Sequence, residues 1–76
     1  MTKTMICVFA SNSLGDAAFV SGNQYTATRE DGKVFVTDRI GFKIQVNLDS
    51  DHEGRAAWSC VVRTAYGADL FKFIIA

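Results

Sequence analysis

The run YTATRE-DG-KVFVTD, residues 25–38, constrains this chain more than any other segment. Two stretches rich in Val, Thr and aromatic residues flank Asp31-Gly32. That dipeptide suits a two-residue type I′ hairpin, because both turn positions need positive φ. A two-residue turn also dictates register. Glu30 faces Lys33, Arg29 faces Val34, Thr28 faces Phe35, Ala27 faces Val36, and further out Tyr25 faces Asp38. Facing residues point to the same side of the sheet. One face therefore carries Tyr25, Ala27, Val34 and Val36 and is the expected core face. The other carries Thr26, Thr28, Phe35 and Thr37, which leaves Phe35 as an outward aromatic or part of a second small cluster.

The flanking sequence extends the same pattern. Residues 38–42 (DRIGF) read as a turn. KIQVNLD alternates, with Ile44, Val46 and Leu48 on one side and Lys43, Gln45, Asn47 and Asp49 on the other. Such alternation predicts a strand with one wet face. DSDHEGR reads as a polar loop, AAWSCVVRTA as a strand, and residues 66–69 as a turn. LFKFIIA closes the chain as a strand, and MICVFA opens it as another. Residues 11–24 are rich in Ser, Asn and Gly and read as a loop, with a short turn or strand around residues 18–20. The expectation is a single all-β domain over residues 1–76, a five- to six-stranded antiparallel barrel. Closure into a barrel removes unpaired strand edges. Tight turns between successive strands favour an SH3-like barrel. An OB-like barrel is the alternative, as is an α+β arrangement with a helix near residues 55–66. Val61, Val62, Thr64 and Trp58 argue against that helix.

Composition narrows the function classes. Eight Lys and Arg balance eight Asp and Glu. A nucleic-acid binder gains affinity by neutralising phosphates and usually shows a basic excess, so nucleic acid is the less favoured partner. No apolar run approaches the roughly 18 residues of a membrane span. Cys7 and Cys60 each sit in an apolar run, with no CxxC spacing and no Cys–His pairing, and are expected as reduced core thiols. A cytoplasmic setting follows. The stretch Asp49-Ser50-Asp51-His52-Glu53-Gly54 starts like a calcium loop, but Cys60 stands where a twelfth-position acid belongs. A solvated acidic turn is the preferred reading, with no metal site and no cofactor. His52, the one histidine, has no nucleophile beside it in sequence, and the glycines lie singly. No catalytic residue is assigned, and the chain is read as a non-enzyme.

Two surface features remain. Phe35, Arg39, Phe42 and Lys43 interleave aromatic and basic character and form the candidate partner-binding set, since aromatics and Arg are enriched at protein interfaces. Joined by Arg29, the same residues are the candidate set for a nucleic-acid-binding barrel that stacks bases. The C-terminal run is apolar on both faces, so Phe71, Phe73 and Ile75 are the candidate oligomer interface; the alternative is that the N-terminal and C-terminal strands cover one another inside the monomer. That would suit an assembly subunit.

The segment YTATREDGKVFVTDRIGFKIQVNLD resembles a small SH3-like barrel: alternating apolar residues, an Asp-Gly turn, VxVxD, a Gly turn, then IxVxL. The Trp and tyrosines of the chain do not fall in the places a proline-binding groove requires. In size and style the chain is similar to accessory proteins of bacteriophages and other mobile elements. That resemblance implies a phage-type inhibitor or modulator that binds a host protein.

Overall fold

The computed structural model describes residues 2–11, 18–64 and 67–76, leaving out the side chains of Ser50 and Thr64. They form six antiparallel strands: β1 (Thr2–Ala10), β2 (Gln24–Glu30), β3 (Lys33–Thr37), β4 (Lys43–His52), β5 (Arg55–Thr64) and β6 (Gly67–Ile75). Each strand pairs with the next, and β6 returns to β1, so the sheet closes into a barrel. The all-β antiparallel barrel expected from sequence is the fold observed. Residues 55–64 are strand, which removes the helical alternative there.

The Asp31-Gly32 hairpin has the register its turn dictates, with Glu30, Arg29, Thr28 and Ala27 opposite Lys33, Val34, Phe35 and Val36. Asp31 and Gly32 both take positive φ, 52° and 77°. The ladder stops before Tyr25 and Asp38. Asp38 is drawn into the following turn, where its amide donates to the Phe42 carbonyl at 2.8 Å.

The polar stretch after Leu48 is not a loop. β4 runs on to His52, β5 starts at Arg55, and Glu53-Gly54 makes a second two-residue turn with φ of 51° and 82°. The expected turn at residues 66–69 also shifts, because Gly67 already begins β6. Residues 65 and 66 lie outside the described residues, as do residues 12–17 of the expected N-terminal loop. Residues 18 and 19 form a bend rather than a strand.

Alternate residues fill the interior. Met5, Cys7, Ala27, Val36, Val46, Cys60, Phe71 and Phe73 make one buried cluster. Phe71 and Phe73 are fully buried. Their expected place at an oligomer interface is therefore corrected. Phe71 and Phe73 face inward opposite Cys60 and Trp58, while the even positions lie on the other face of the strand, where Ile74 is nonetheless buried. Closure has a second consequence. All six strands have a neighbour on either side, so among the described residues no strand presents a wholly free edge to another chain.

A bulge in β1 between Cys7 and Phe9 shifts the pairing with β6 by one residue. A slip of one residue turns a side chain to the other face. Phe9 consequently sits opposite Lys72 on the outer wall, where the ammonium lies 5.8 Å from its ring centroid.

The two ends of the barrel differ. Phe19, outside any strand, is fully buried and plugs the end that holds the β1–β2 and β3–β4 connections. Its ring meets Phe73, Tyr25 and Phe71 edge-on at centroid distances of 4.8, 4.9 and 5.2 Å. Such T-shaped contacts suit the aromatic quadrupole. The opposite end, at the Asp31-Gly32 and Glu53-Gly54 turns, is open.

Candidate functional site

At the plugged end, residues 38–42 form a turn whose backbone is braced from within. The Asp38 carboxylate accepts from the amides of Ile40 and Phe42 at 3.0 and 2.9 Å. The Gly41 amide donates to the Asp38 carbonyl at 3.2 Å, and Gly41 takes φ of 97°. An Asp side chain bound to the backbone two residues on is a standard turn-former, and Gly supplies the positive φ at no steric cost. The result is a short loop with little freedom. It nonetheless presents two large apolar side chains to water. Ile40 is 67% exposed and Phe42 66%. Val20, in the neighbouring β1–β2 connection, is also exposed and belongs to the same end by topology.

The remaining candidates from sequence fall as follows. Phe35 lies on the outer wall of β3, half-buried, opposite Thr28 and Gln45. Lys43 begins β4 on that same wall, and its ammonium donates to Glu30 at 2.5 Å. This pair bridges β2 and β4 across β3. The hydrogen bond from Lys43 and then its charge hold the Glu30 carboxyl below the usual carboxylate range. Arg39 is exposed at the loop tip. Arg29 is elsewhere: it pairs with Val34 and lines the mouth at the open end. The structure thus brings Arg39, Phe42 and Lys43 into one neighbourhood, with Phe35 on the adjoining wall. It separates them from Arg29 and neutralises Lys43.

Ile40 and Val20 were not singled out by sequence. Ile40 could have been: an Ile inside a DRIGF turn has no strand face to fill. The outer wall of β1, β6 and β5 carries a second apolar feature missed from sequence. Phe9 and Val61 are exposed there, Val61 opposite Leu70.

Residues 49–53 do not converge as a cation loop would. Residues 49–52 are drawn out along β4 and Glu53 sits in the turn that follows, an extended path rather than a loop wrapped round an ion. Asp49, the bulge residue of β4, accepts a hydrogen bond from the Ser59 hydroxyl. His52 lies 3.8 Å from Glu53. Among the described residues, no three His, Cys, Asp or Glu side chains are grouped to hold a metal ion. Cys7 and Cys60 are unpaired buried thiols. Burial pushes the Cys60 thiol up to about 12, with Cys7 nearby adding to the effect. The same burial raises Cys7, partly offset by its bond to the Phe9 carbonyl. Neither is poised as a nucleophile, which needs a thiolate. Among the described residues, no helix is long and apolar enough to cross a membrane.

No family model, no curated protein and no solved structure matches this chain.

Proposed function

We propose that this barrel is a non-enzymatic binding module that docks on another protein through the braced loop at residues 38–42. The observation that carries the reading is the conjunction of rigidity and exposure in that loop. Four internal hydrogen bonds order it, yet they bury neither Ile40 nor Phe42. Ordering a loop before binding lowers the entropic cost of association. Apolar and aromatic anchors on a rigid base are what interface hot spots consist of. Arg39 at the tip and Phe35 on the wall extend the surface.

The concrete form is that of an inhibitor or modulator of a host protein, as in the bacteriophage accessory proteins the chain resembles in size and style. A reducing, cytoplasmic setting fits two unpaired core thiols. Nucleic acid is disfavoured as the target, since Arg29 lies at the far end and the Lys43 charge is spent on Glu30. Self-association through strand edges is disfavoured by closure.

The test is comparative capture. Tagged wild type, Ile40→Ser/Phe42→Ser and Asp38→Ala are incubated with lysate of the native host, and bound proteins are quantified. A specific partner should fall at least about tenfold with the double variant, since hot-spot truncation typically costs about 2 kcal/mol or more. Asp38→Ala should weaken capture of that partner while keeping both apolar side chains. Unchanged capture by the double variant, folded at the assay temperature, overturns the reading.

A further inference from the structure

The open end of the barrel leads into a cavity of about 360 Å³. Its walls are Met5, Ala27, Val34, Trp58 and Ile75, all from strands that form the barrel. That volume lies at the lower end of the range for small-molecule sites, roughly 300–1,000 Å³. The lining is apolar and adaptable, because the Met5 thioether can repack around an occupant. Two cations, Lys3 and Arg29, stand among the lining residues, and none of the lining residues is acidic. Both are exposed, and neither has a carboxylate partner among the described residues. Arg55, also at this end, is already engaged, donating to the Ile75 carbonyl at 2.7 Å. A smaller adjoining cavity of about 250 Å³ shares Arg29, Val34 and Trp58 and extends the mouth toward Lys33 and Leu48.

An apolar interior with two cations and no acid in its lining selects for an amphipathic ion of the opposite sign. We infer that this mouth binds a small monocarboxylate with an aliphatic or aromatic body. The body enters the cavity between Met5 and Trp58. The carboxylate stays at the rim, where the planar guanidinium of Arg29 offers two parallel N–H donors and Lys3 a point charge. A neutral analogue gains the burial but not the charge-assisted bonds, and a cationic analogue is repelled. The site lies at the opposite end from the loop at residues 38–42, so the two bind independently.

The chain has one tryptophan, and it lines this cavity. Trp58 emission therefore reports occupancy directly. Octanoate, 2-naphthoate, octanol and octylamine are titrated in turn, with calorimetry covering a ligand that seats without changing the emission. Saturable binding of octanoate or naphthoate is expected, and the stronger of the two identifies an alkyl or an aryl body. Octanol should bind about tenfold more weakly, the scale of one charged hydrogen bond. Arg29→Gln should weaken the carboxylate by a similar factor and leave octanol unchanged, with Lys3→Gln acting in the same direction. Arg29 is exposed, so its replacement leaves the fold intact. No saturable binding, equal binding of octanoate, octanol and octylamine, or an unchanged carboxylate affinity in Arg29→Gln overturns the inference.

Discussion

A buried thiol shows how far one residue's surroundings move its chemistry. Cys60 lies between the inner faces of β4 and β6, opposite Phe71, and its charged form is disfavoured by loss of water. Its pKa is raised to about 12 from an ordinary 9.0. Between those values the folded chain keeps a proton that the unfolded chain releases. The unfolded state then binds fewer protons, so stability falls as pH rises. The contribution is whole below pH 9 and declines above it, by on the order of 1.4 kcal/mol per pH unit for one thiol. The informative quantity is the difference between wild type and Cys60→Ala, in which every other titrating group is common to both. Urea unfolding at pH 8, 9.5 and 10.5 should show wild type losing stability faster than the variant. Parallel pH curves would show that the thiol ionises in the folded barrel as it does in the open chain.

At the scale of elements, the two hairpins show what sequence makes legible. Asp31-Gly32 announced its turn because both residues are familiar at positive φ, and register followed from turn length. Glu53-Gly54 adopts the same geometry, but its sequence reads as part of a polar loop, because Glu is uncommon at positive φ. The bulge at residue 8 was equally hidden. Strict alternation assumes no inserted residue, and one insertion sent Phe9 to the outer wall. In β6 the difficulty was different: with both faces apolar, parity alone could not tell the inner set, Phe71 and Phe73, from the outer. The braced loop was half legible, since Phe42 and Arg39 stood out while Ile40 did not. The Glu53 turn yields a sharp expectation. A left-handed conformation costs an ordinary L-residue about 1–2 kcal/mol, and Asn bears it better. Glu53→Asn should therefore stabilise the barrel by roughly 0.5–1 kcal/mol. Thermal or urea unfolding decides it, and a variant less stable than wild type would mean that Glu53 contributes through its side chain.

For the molecule as a whole, the two ends divide the labour. Six short strands enclose too little volume for a large core, and a chain of this size has marginal stability to spend, roughly 4–11 kcal/mol at typical values per residue. The plugged end concentrates it. Phe19 is the side chain on which Tyr25, Phe71 and Phe73 converge, although it belongs to no strand. The open end trades packing for access, and Trp58 borders a cavity that water already reaches. Removing Phe19 therefore empties a closed space, whereas removing Trp58 enlarges an open one. Phe19→Ala should cost about 3–5 kcal/mol, the transfer and cavity contributions of a fully buried Phe. That is a large share of the total. Trp58→Ala should cost less despite its larger ring, because part of that surface is never taken from water. Urea unfolding of the two variants, monitored by far-ultraviolet circular dichroism because one lacks the fluorophore, ranks them. If Trp58→Ala proves the more damaging, the mouth is part of the core, and neither a loop-capped barrel nor a ligand-accessible cavity describes this protein.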